Sequence, residues 1–143
     1  MPNQENPQEM SLDISQKLQA AIGLHQGGKL KEANEAYLEI LAVKSDHFDA
    51  TQLLAASLAQ AKQFSEAIPY FESAITLNPD NAAVLNNYGH CLHALNRYES
   101  ALEKYHEAII CNPQYHEAHI NYANTLKKLK RNVEAELAFR GSS

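Results

Sequence analysis

The chain repeats itself every 34 residues. Between Asn81 and Pro113 it reads NAAVLNNYGHCLHALNRYESALEKYHEAIICNP, with landmarks at Leu85, Tyr88, Gly89, Leu92, Ala101, Tyr105, Ala108 and Pro113. One period earlier the same places hold Thr51, Leu54, Ala55, Leu58, Ala67, Phe71, Ala74 and Pro79. One period later they hold His119, Tyr122, Ala123, Leu126, Ala135 and Phe139. A fixed period of this length belongs to a unit that cannot bury its apolar face alone and stacks on its neighbours. Within each period the apolar residues fall at helical spacing in two runs, which predicts a pair of antiparallel helices.

Small residues recur at two places in the period, with an aromatic four residues after the second. Ala55, Gly89 and Ala123 sit on first helices, and Ala67, Ala101 and Ala135 on second helices. A methyl group or a hydrogen there lets paired helices approach closely, and Phe71, Tyr105 and Phe139 fill the space toward the next repeat. This pattern resembles the tetratricopeptide repeat (TPR) family over roughly residues 11–140. The resemblance implies an all-α, right-handed α-solenoid of antiparallel helix pairs with about 3.5–4 repeats. It also implies a binding scaffold and not a catalyst.

In chain order, residues 1–10 are polar and proline-containing and are expected to form a disordered tail. Ser11 or Asp13 can cap the first helix, which Gly27-Gly28 ends. The second is predicted over about 30–43, so that Ala33 registers with Ala67 and repeat one covers 14–47. Repeat two covers 48–81 with helices near 48–61 and 64–77. Repeat three covers 82–115 with helices near 82–95 and 98–111. Pro79 and Pro113 lack an amide hydrogen and disfavour helical geometry at the residue before them, so each enforces a stop. Repeat four covers 116–140, its first helix reaching about Leu129, and 141–143 is read as a flexible tail. Glu136 replaces the aliphatic residue seen at Ile68 and Leu102, and no capping helix follows. Apolar surface is therefore expected to stay uncovered at this end. Either the chain is part of a longer array or a second chain covers that face.

The formal charge of -5 argues against a nucleic-acid or anionic-membrane binder. Cys91 and Cys111 form no disulfide framework and read as free, buried thiols inside helical segments. The N-terminus lacks a basic segment followed by an apolar run, so no signal peptide is predicted, and the default compartment is the cytoplasm. No phosphate loop, nucleophile elbow, paired-cysteine zinc motif or HExxH is present, so neither an enzyme nor a cofactor is expected. His90 and His93, and again His116 and His119, are three apart on a helix, a spacing that can share a metal. His119 occupies the landmark place of Leu85 and reads as half-buried packing, and His116 starts its helix. Ordinary helix-surface histidines are the expectation.

The family resemblance assigns a groove to the first helices of successive repeats. Counted from each repeat start, the groove positions hold Gln52, Leu53, Ala56, Ala59 and Gln60 in repeat two. They hold Asn86, Asn87, His90 and His93 in repeat three, and Ile120, Asn121, Asn124 and Lys127 in repeat four. Asn87 and Asn121 share one register. They resemble the asparagine ladder of the TPR region of bacterial O-GlcNAc transferase-like proteins, where such amides grip a peptide backbone. An amide has donors and an acceptor, so a row of them can hold any extended backbone. The ladder breaks at Leu53 and Gln19. A two-carboxylate clamp, as in chaperone-binding members, fits poorly, because only Lys127 and Lys128 are basic nearby. The run from Lys127 to Arg131 reads as cations at a helix C-terminus. The expected partner is a protein segment, either an extended peptide or a helix. The alternatives are self-association through the C-terminal repeat and presentation of substrates to a glycosyltransferase.

Overall fold

A computed structural model describes residues 7–141. All regular structure among them is helical: α1 (Pro7–Gln26), α2 (Leu30–Val43), α3 (Phe48–Gln60), α4 (Phe64–Leu77), α5 (Ala82–Ala94), α6 (Tyr98–Cys111) and α7 (His116–Gly141). The all-α expectation is met. The described residues fall into two compact units, one within Met1–Tyr70 and one within Phe71–Ser143. In the first, α2 packs against α1 and α3; in the second, α6 packs against α5 and α7.

The turns inside the repeats share one geometry. Gly28, Lys62 and Asn96, each one period apart, adopt left-handed φ values of 80°, 63° and 63°. At each, two backbone bonds close the helix end. Lys62 N–H reaches Ala59 O and Gln63 N–H reaches Leu58 O, both at 2.9 Å; Asn96 and Arg97 repeat this onto His93 O and Leu92 O. This is the Schellman arrangement, which satisfies carbonyls that a helix end leaves without partners. Between repeats the start of the next helix is capped by a side chain. His47 Nδ1 accepts from Ala50 N–H, and Asn81 Oδ1 accepts from Val84 N–H, each at 3.1 Å.

Burial follows the 34-residue register. Ala33, Ala67 and Ala101 are fully buried, as are Tyr37, Phe71 and Tyr105 to within 1%. Gly89 shows why one place must stay small: a Cβ built there would lie 2.6 Å from Cε1 of Tyr105. Both cysteines are free thiols; Cys91 is buried as expected, whereas Cys111, the last residue of α6, is exposed and not buried. Burial pushes the Cys91 thiol up to about 12.

Three expectations are corrected. Helix α1 begins at Pro7, so residues 7–10 are helical instead of tail, and Asp13 lies inside the helix, paired with Lys17 at 3.4 Å. Residues 1–6 and 142–143 of the expected tails lie outside the described residues, as does the side chain of Phe139. The largest correction concerns repeat four, which is not a helix pair: α7 runs unbroken for 26 residues. Lys130, one period after Asn96, stays helical where its counterparts turn. A left-handed lysine costs about 1–2 kcal/mol, which packing of the returning helix must offset. In repeat four that packing is weaker, because Asn132 and Glu136 stand where Tyr98 and Leu102 stand in repeat three.

Candidate functional site

The second unit holds most of the residues picked out from sequence. Asn86 lies on α5 one turn after its Asn81 cap, and Asn121 on the facing side of α7. Asn121 Nδ2 donates to Asn86 Oδ1 at 3.0 Å. Asn86 is not an exposed groove residue as expected: it is only 3% exposed. A buried amide must find partners or lose the free energy of its hydration, and Asn121 supplies one. The Tyr115 hydroxyl donates to Glu117 Oε2 at 3.2 Å. Burial, then Glu117, holds the Tyr115 hydroxyl above its usual range.

His93 connects the same two helices further along. Its Nδ1 lies 2.7 Å from Thr125 Oγ1, and its ring meets Tyr98 edge-on with centroids 5.1 Å apart. Thr125 is fully buried. Burial lowers the His93 pKa, and the neighbouring His90 and Lys128 lower it further, so the ring is neutral at neutral pH. The role of His93 here is to join α5 to α7.

The remaining candidates stand at the surface. Asn87 and Asn121 are half-buried, and His90, Asn124 and Lys127 are exposed. Residues three apart share a helix face, which groups Asn87 with His90 and Asn121 with Asn124. Gln52 is half-buried on α3 and belongs to the first unit. His119 is exposed instead of half-buried; its Nε2 lies 2.7 Å from Pro113 O, across the turn that starts α7. The basic run from Lys127 to Arg131 lies inside α7 and not at a helix end, because that helix continues to Gly141. Among the described residues, no three His, Cys, Asp or Glu side chains come together to hold a metal ion. No described helix is long and apolar enough to cross a membrane.

Sequence reasoning overlooked Thr125 and Tyr115. Thr125 carried a usable signal: one and two periods earlier stand Cys91 and Ser57, and all three are fully buried. A column of small, weakly polar side chains marks the seam where a first helix turns fully inward. Tyr115 carried no such signal, since its earlier counterparts are the caps Asn81 and His47.

Residues 58–103 match the family profile described as tetratricopeptide repeat. The TPR repeat-containing thioredoxin TTL4 of Arabidopsis thaliana is 33% identical over 115 residues, which is 80% of this chain and 16% of that protein. Across the curated relatives it matches, the chain spans between 8% and 16% of their length. The solved first TPR of Spaghetti (RPAP3), bound to an HSP90 peptide, superposes with a TM-score of 0.79 at 19% identity, covering 82% of this chain and 93% of that one. A solved Thermobaculum terrenum O-GlcNAc transferase superposes with a TM-score of 0.75 at 24% identity, over 81% of this chain and 22% of that one. At these identities the likeness to both structures is one of fold. With its 34-residue register, its shared turn geometry and the profile matched over residues 58–103, the chain has the fold of the solved tetratricopeptide repeat proteins.

Proposed function

We propose that the chain is a non-catalytic interaction scaffold whose second unit binds an extended peptide or a partner's helix along Asn87, His90, Asn121 and Asn124. The carrying observation is the bond from Asn121 to the buried Asn86. It uses one amide hydrogen of Asn121 and holds the group in one orientation. The Asn121 carbonyl oxygen and second N–H are then aimed before a ligand arrives, and pre-orientation of this kind lowers the entropy cost of binding. Asn87, in the same register, offers a second amide. Lys127 is proposed as a flanking contact. The peptide held by the structurally similar Spaghetti domain supports a protein ligand, and the net charge of -5 disfavours nucleic acid.

The likeness in fold to the O-GlcNAc transferase supports a narrower version, in which the bound segment is a substrate offered to a glycosyltransferase. The test is fluorescence anisotropy with a mixed-sequence peptide library, comparing wild type with Asn87→Ala/Asn121→Ala. Each lost backbone bond contributes about 0.5–1.5 kcal/mol, so the double variant is expected to bind about tenfold more weakly. Equal affinity of the two proteins rejects the groove.

A further inference from the structure

The fourth repeat holds both halves of a contact that it does not make. In earlier repeats the place of Ala123 is buried, at Ala21, Ala55 and Gly89, and the place of Leu126 is covered at Leu58 (7%) and Leu92 (4%). In α7, Ala123 is exposed and Leu126 is 43% exposed. Repeat three shows what belongs on this face: the Tyr105 ring of the returning helix packs on Gly89 too closely for a methyl group. The matching parts of repeat four are present in the sequence, Ala135 and Phe139 in the register of Ala101 and Tyr105. They cannot reach Ala123 within one straight helix, where residues 123 and 139 are about 24 Å apart.

We propose that the second half of α7, residues 132–140, is exchanged between two copies of this chain, each copy's segment covering the Ala123–Leu126 face of the other. Lys130 is the hinge. Its counterparts Gly28, Lys62 and Asn96 reverse the chain through a left-handed residue, which makes the returning helix cover its own partner. With Lys130 helical, the same complementary surfaces exist in every copy but are separated along the rod. Reciprocal exchange satisfies them without the left-handed lysine, and reversal at Lys130 satisfies them within one copy. The exchange does not depend on the proposed peptide-binding role.

The 143-residue chain is tested by light scattering coupled to size-exclusion chromatography over a wide concentration series. A monomer–dimer equilibrium is expected. Lys130→Gly removes the penalty on the left-handed turn and weakens the straight helix, so both effects favour closure within one copy. It is expected to raise the dimer dissociation constant about a hundredfold, because each of the two copies relieves one left-handed residue worth about tenfold. Leu126→Glu, at an already exposed position, places a charge on the contact face and is expected to leave monomer only. Circular dichroism melts confirm that both variants fold. A wild type that stays monomeric at every concentration overturns the proposal. So does a dimer that neither substitution weakens.

Discussion

Asn121 donates to the Oδ1 of Asn86 across 3.0 Å, and Asn86 is only 3% exposed. The half-buried amide of Asn121, proposed above as a ligand contact, is thus held by a second amide that is buried. Asn86→Ala is expected to destabilise the protein by about 1–3 kcal/mol, because it removes a buried side chain and leaves Asn121 without its bond. Peptide affinity should fall as well, through the loosened Asn121. Urea titration and anisotropy on the same variant check both. An undiminished affinity would mean that Asn121 needs no support.

Gly89 carries a separate expectation. A methyl group there meets Cε1 and Cδ1 of Tyr105 at 2.6 and 2.8 Å, and that ring is 1% exposed and cannot swing aside. Gly89→Ala is therefore expected to cost about 1–3 kcal/mol by overpacking, even though alanine favours helix. Ala101→Leu, at a fully buried place, should cost a similar amount. Thermal melts are the measurement.

His93 makes stability depend on pH. Its folded pKa is lowered by burial and by His90 and Lys128, so below the ordinary histidine range the unfolded chain binds a proton that the folded state resists. Stability from this group is complete above about pH 6.5 and declines as the pH falls through that value. Denaturation at about pH 7.5 and about pH 5.5 should show a larger loss in wild type than in His93→Gln, which has no charge to gain.

The left-handed turn at Lys62 is open to improvement. Its φ of 63° costs a lysine about 1–2 kcal/mol, and glycine returns part of that gain as unfolded-chain entropy. Lys62→Gly is expected to stabilise by about 0.5–1 kcal/mol. Asn96→Gly should change little, since asparagine tolerates that region. The contrast between the two midpoints in urea is the check.

Most of the fold was legible because local signals and packing agree. α2, α4 and α6 begin and end at the residues expected, 30–43, 64–77 and 98–111, each bounded by a left-handed turn before and a stop after. Two things were not legible, and both depend on neighbours. Whether Lys130 turns or continues depends on what the returning helix would bury, and lysine occupies both states in this chain, at 62 and at 130. Whether an asparagine on a first helix faces inward or outward depends on the next repeat. Asn86 is held inward by Asn121, which the next repeat supplies.

The two thiols differ in a way that serves as a clock. Cys111 stands in solvent at the end of α6, whereas Cys91 is sealed inside α5 with its thiol pushed up to about 12. An alkylating reagent added to the native protein reaches the first without any opening, at a rate slowed because partial desolvation, Asp80 and Glu107 raise its thiol pKa. It reaches the second only when α5 lifts away. The delay between the two modifications measures how often this repeat breathes, with no label introduced and no residue changed.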